Sequence, residues 1–185
     1  MNKKDLKVVG VDAQTLAGPL SGISRYTINI IEILAKRKNF KWVLYANKPL
    51  NYDCAHLDNI EVKIDDKFSF LPYVIWLQLV LPIYIFRDRI NLFWAPSHRA
   101  SFLGMLILPT IVTIHDMVYR RHGQTMPLLS RILDSILIPL AAKFSKKIVT
   151  VSKSNELDLR SYLGISSEKI VVTHLASVNF IHKNR

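Results

Sequence analysis

Short runs rich in Val, Ile and aromatic residues recur along this chain, and most are separated by a segment whose apolar residues repeat at helical spacing. That alternation narrows the fold more than any other feature. The β-type runs are residues 6–12, 40–46, 60–64, 91–95, 110–114, 147–151 and 170–173, with 60–64 the weakest. Helical spacing marks 23–34, where Ile23, Tyr26, Ile30, Ile31 and Leu34 share a face, and then 69–87, 126–144 and 152–163. Several β-type runs are apolar at successive positions instead of alternating. Such strands are buried on both faces, as in a parallel sheet covered by helices. The expected fold is α/β: a doubly wound, mostly parallel, Rossmann-like sheet.

Punctuation residues fall where this reading needs them. Gly18, Pro19, Ser21 and Gly22 interrupt the chain before the first helix, and Lys36-Arg37-Lys38 close it, where basic residues suit the helix dipole. Pro96 ends the fourth run, Pro109 opens the fifth, and Gly164 stops the last helix.

With 185 residues, half of them apolar, the chain has material for one well-buried domain and too little for two ordinary ones. Its single cysteine, Cys54, excludes an internal disulfide and a zinc-type cysteine cluster, and fits a reducing compartment. The apolar run 6–11 is too short for a signal-peptide core. Residues 68–86 approach the length of a membrane span but contain Pro72, Gln78 and Pro82, which favours a core helix or one lying on a membrane surface. The net charge of +11 implies an anionic partner: nucleic acid, an anionic membrane, or phosphorylated small molecules.

Ligands of open parallel sheets bind at the carboxyl ends of the strands, which selects four loops. Gly18 to Gly22 leads into a helix N-terminus, which suits an anion; it matches neither GxGxxG nor a Walker loop, and a plain turn with an N-cap fits equally well. His115-Asp116 follows an apolar strand, where packing alone does not call for a polar pair; a structural His–Asp cap is the competing account. Ser97-His98-Arg99 is open to both readings. Ser152 and Ser154 open a helix, where serine is first of all a cap. Arg120 and Arg121 read as surface charges or an anion clamp. His56, His122, His174 and His182 are scattered without metal-ligand spacing, Asp65-Asp66 reads as a solvated loop, and no nucleophile elbow is present. No metal site is expected.

Three stretches carry a family resemblance. Ser21-Gly-Ile-Ser-Arg-Tyr-Thr27 with Ile30-Ile31 is similar to a "GIGRYT…L" helix start. Pro109-Thr-Ile-Val-Thr-Ile-His-Asp-Met117 is similar to a "P.v.tiHDl" strand and loop. Ala142 to Ser154, continuing to Asp158-Leu159, Gly164 and Lys169 to Val172, is similar to "a..i.tvS..s..dl…G…ki.vv". In order and spacing these resemble the N-terminal domain of family 4 glycosyltransferases, which have the two-domain GT-B fold. The His-Asp form looks most like bacterial mannosyltransferases of cell-surface polysaccharide synthesis.

The resemblance implies retaining transfer from a nucleotide sugar to a glycan or lipid-linked acceptor, without metal or other cofactor. It implies that residues 1–176 form the acceptor-side domain, that 177–185 begin a linker, and that a C-terminal donor-binding domain, absent here, or a separate chain completes the cleft. His115 and Asp116 would be catalytic, with Asp116 orienting His115. Ser21, Gly22, Arg25, Ser152 and Ser154 would bind donor phosphate or sugar; Ser97, His98 and Arg120 would bind acceptor. Ser21-Gly22 replaces the paired glycines of many relatives, and His174 to Val178 departs from the family's turn after the last strand. The implied location is cytoplasmic, peripheral on the inner membrane face, with an anionic lipid surface as a further partner. The alternative is a basic membrane- or nucleic-acid-binding module without catalysis. Aromatic residues do not interleave with basic ones along a face, so no nucleic acid partner is expected.

Overall fold

The computed structural model describes residues 6–121 and 123–175. Its strands are β1 (Lys7–Asp12), β2 (Phe40–Ala46), β3 (Ile60–Ile64), β4 (Leu92–Ala95), β5 (Thr110–Ile114), β6 (Lys147–Thr150) and β7 (Ile170–Val172). They form one sheet in the order β3-β2-β1-β4-β5-β6-β7, with every pairing parallel. The helices are α1 (Gly22–Ala35), α2 (Tyr73–Ile75), α3 (Leu81–Arg87), α4 (Phe102–Ile107), α5 (Val118–Arg121), α6 (Leu128–Phe144) and α7 (Lys153–Leu163). No described helix is long and apolar enough to cross a membrane.

Strand periodicity explains the two cores. Val9 and Val11 of β1 point to one face and pack with Ile31 and Ala35 of α1, together with Leu44 and Trp94. Tyr45, Phe93 and Val112 point to the other face and pack with Trp76, Leu81 and Ile85, then with Ile138 of α6 and Leu159 of α7. On that second face a Cβ at position 10 would lie 2.9 Å from a Phe93 ring carbon, so β1 carries Gly10 there. The chain winds outward through β2 and β3, returns past β1 to β4, and winds the other way. The strand order therefore reverses between β1 and β4, and the crevice at the carboxyl end of that pair is where such sheets take ligands.

Three expectations need correction. The helix expected over 69–87 begins at Tyr73 and passes through a π-helical turn, Trp76–Val80, before α3. Pro82 lacks the N–H that an unbroken α-ladder would send to Gln78. The wider turn absorbs this, with Leu81 N–H bonded to the Trp76 carbonyl. The Gln78 side chain is used instead to hold α4, accepting from Phe102 N–H at 2.8 Å and donating to the Ala100 carbonyl at 3.0 Å. Asp65 is not solvated: it is buried and accepts a 2.7 Å hydrogen bond from the Trp76 indole N–H. Finally, α4 and α5 were not foreseen. The expected linker 177–185 lies outside the described residues, as do His122 and His182.

Candidate functional site

The carboxyl edge beside the switch point is built from both sides of the sheet. On the α1 side, Ser21 is the N-cap of α1. Its Oγ accepts from Ser24 N–H at 3.2 Å, and Ser24 Oγ accepts in return from Ser21 N–H at 3.1 Å. Ser24 Oγ also donates to the Thr15 carbonyl at 2.6 Å, tying the helix start to the loop after β1. The Ser21 hydroxyl is thus committed to the cap. The Gly22 and Ile23 N–H groups are the first-turn donors that the cap leaves over. Gly22 and Gly18 have open space where a Cβ would stand, so neither glycine is demanded by packing. Arg25 is exposed one turn into the helix.

His115 follows β5 on this same side. Its Nε2 lies 2.8 Å from the Pro96 carbonyl, and its ring meets Tyr26 of α1 edge-on at 4.9 Å. Tyr26 also packs edge-on against Trp94 at 6.2 Å, and the Trp94 indole donates to Thr113 Oγ1 at 3.1 Å. Only an N–H can bond a carbonyl, so the proton sits on Nε2 and Nδ1 is the ring's acceptor. Burial lowers the His115 pKa, and nearby His98 lowers it further, against the opposing effects of the Pro96 carbonyl and Asp116. Burial thus favours the neutral ring. Asp116 does not orient it, contrary to expectation. The Asp116 carboxylate is exposed and accepts from Val118 N–H at 3.1 Å, which starts α5; the Pro96 carbonyl does the orienting.

The other side carries residues that the sequence reading missed. Asp12, the last residue of β1, is fully buried; its carboxylate accepts from the Tyr73 hydroxyl and from Gln14 N–H at 3.1 Å. Burial pushes its pKa up to about 6, with those two hydrogen bonds pulling the other way. Next to Ser97, His98 and Arg99 converge on Asp134 of α6, at 3.5 Å and 2.8 Å. Asp134 is buried, and the two partners hold its carboxyl below the usual range despite that burial. A polar residue ending an apolar strand was a usable signal for Asp12. Nothing local marked Asp134, the single acid of α6.

The structure thus brings His115, Pro96, Tyr26 and the start of α1 together, with Ser97 and His98 adjoining. Ser152 caps α7 by accepting from Asn155 N–H at 3.1 Å. Asn155 in turn donates to the Ile114 carbonyl at 2.7 Å, pinning α7 beside the end of β5. Ser154 is exposed on the first turn. Arg120 is exposed with its guanidinium 5.9 Å from the Tyr119 ring, and Arg121 pairs with Asp158. Among the described residues no three His, Cys, Asp or Glu side chains are grouped as a metal-ligand set.

A wholly parallel sheet whose strand order reverses between β1 and β4, with helices on both faces, defines a Rossmann-like α/β domain. Residues 20–176 match the model of Glycosyltransferase Family 4, and the chain belongs to that family. The fold is that of the N-terminal half of a GT-B enzyme, and family membership gives it a glycosyltransferase-like role with a nucleotide sugar and an acceptor as partners in general terms. No match to the chain was found among curated proteins.

Proposed function

We propose that this domain is the acceptor-side wall of a retaining glycosyltransferase. It would move a mannose-like sugar from a nucleotide sugar to a glycan or lipid-linked acceptor in cell-surface polysaccharide synthesis, on the inner face of the cytoplasmic membrane. The observation that carries this reading is the tethering of His115. With Nε2–H held by the Pro96 carbonyl, the neutral ring offers Nδ1 as a hydrogen-bond acceptor to a sugar hydroxyl. A neutral ring also adds no positive charge beside a sugar whose own ring becomes positive as the bond to phosphate breaks.

In this reading the anomeric carbon–oxygen bond to the diphosphate breaks, and the acceptor oxygen bonds the same carbon on the same face. The acceptor proton passes to the departing phosphate. Gly22 and Ile23 N–H groups at the α1 N-terminus receive part of that phosphate charge, with Arg25 nearby. Ser97 and His98 line the acceptor side, Arg120 extends it, and Ser152 acts through α7 placement with Ser154 at its rim. The reading invokes no metal or cofactor. A donor-binding domain or chain supplies the opposite wall of the cleft.

The test is His115→Ala in the enzyme completed by its second domain, assayed against a panel of nucleotide sugars. Turnover should fall by about two to three powers of ten, as loss of one transition-state hydrogen bond does, with the far-ultraviolet circular dichroism unchanged. An unaltered rate removes His115 from the site.

A further inference from the structure

We propose that the outward surface of α2–α3, α4 and α6 docks on an anionic phospholipid bilayer. The helices there are apolar on both sides. Trp76, Leu77, Leu81 and Ile85 face the sheet and are buried, while Ile75, Leu79, Ile83 and Phe86 form a second stripe facing away, with Phe86 71% exposed. On α4, Leu103 and Leu106 are exposed, and on α6 Leu128, Leu129, Ile132 and Ile136 repeat the outward stripe. Helix α4 contacts both α3 and α6, so the three stripes adjoin. A helix apolar all round needs apolar surroundings on both sides, and an outward patch of this extent marks an interaction surface.

Charge selects the occupant. Among the exposed residues of these helices no acid occurs; the charged ones are Arg87, Arg131 and Lys143. Asp134 is turned inward and paired, and Asp88, just past α3, is engaged by Lys63, Arg87 and Tyr45. Arg89 and Lys146, exposed just beyond the ends of α3 and α6, add to the positive charge, while exposed Asp66 and Lys67 before α2 offset each other. A second copy of this chain would set these cations against one another. A bilayer with acidic headgroups complements them while taking up the apolar stripes. A groove of about 430 Å³ at the start of α6 is lined by Leu128 and Ile132 together with Arg120 and Arg131, so apolar and basic side chains meet there. The inference deepens the membrane-face reading above, yet it is read by lipid binding and not by turnover, so the two fail separately.

The test is co-sedimentation of the full 185-residue chain with phosphatidylcholine vesicles, with and without phosphatidylglycerol, at 0.1 M salt. Binding is expected on the mixed vesicles and at least tenfold weaker on the neutral ones. Replacing Arg87, Arg131 and Lys143 by Gln should weaken it by on the order of a hundredfold. Replacing Leu79, Ile83, Phe86 and Leu129 by Ser should abolish it, with circular dichroism as the folding check. Should that variant not fold, Phe86→Trp provides a second reading: its emission shifts to the blue on adding mixed vesicles, over a background of Trp42, Trp76 and Trp94, which are already buried. The proposal is overturned by no partition onto mixed vesicles, by equal binding to neutral ones, by an apolar variant that folds and still binds, or by an unshifted Phe86→Trp spectrum. A concentration-dependent dimer that the apolar variant disrupts, without vesicle binding, would assign the surface to a second copy and equally overturn it.

Discussion

The helix layer on one face of the sheet and the helix layer on the other solve the same inner problem and differ on the outside. Facing in, α1 buries Ile31 and Ala35 as fully as α3 buries Leu81 and Ile85. Facing out, α1 shows Gly22, Arg25, Asn29 and a single large apolar residue, Ile33, whereas α2–α3 shows four in register. Inner packing is fixed by the sheet, which is apolar on both faces. The outer surface is not constrained by folding and so records what each layer meets.

That comparison can be broken at several levels. If the inner surfaces are equivalent, Trp76→Ala and Ile31→Ala should both be severe, about 3–5 and 2–5 kcal/mol respectively by urea unfolding. The larger value reflects the bigger void and the loss of the Trp76 bond to buried Asp65. A mild effect at either residue would mean that its layer is loosely packed.

Asp12 tests the seam between the layers, because a residue of β1 is held there by Tyr73 of α2. Its folded-state pKa of about 6 lies above the ordinary 3.8, so the folded protein binds this proton more tightly than the unfolded chain does. The resulting contribution is fully present below pH 3.8 and is lost as pH rises through about 6. Over that window it amounts to about 3 kcal/mol. Asp12→Asn should remove this slope, so the variant gains on the wild type by about that amount between pH 4 and pH 7. Parallel stability–pH curves would show that Asp12 does not titrate in this range.

Smaller effects refine the outer surfaces. Ser21→Ala removes the α1 cap and should cost about 1 kcal/mol, measurable as a lowered melting temperature. Ile83→Gln, on the outward stripe of α3, should change stability by less than about 0.5 kcal/mol. A large loss at Ile83 would mean that this stripe belongs to the core after all.

The strand positions and the parallel pairing were legible because short apolar runs and breakers are local signals, whereas the strand order carries no local signal and came only from the structure. The π-turn before Pro82 was not legible either, since the periodicity of 69–87 looks continuous and only the missing N–H betrays it. The role given to Asp116 failed for a different reason. Just past the strand end the Asp116 carboxylate turns to cap the start of α5 through Val118 N–H, so a neighbour in sequence was a poor choice for the ring's partner. The true partner is a carbonyl of the adjacent loop, and carbonyls have no residue signature. Asp134 was hidden by distance: its partners lie 35 and 36 positions upstream, at Arg99 and His98.

The bond from His115 to the Pro96 carbonyl has one more consequence. A main-chain oxygen is present whatever side chain stands at that position, so no single replacement in the 96–99 loop deletes it. Side-chain changes at Ser97 therefore leave the ring's tether in place, whereas His98 and Arg99 are held to buried Asp134. A ring anchored through the backbone keeps its pose without depending on the identity of any neighbouring side chain.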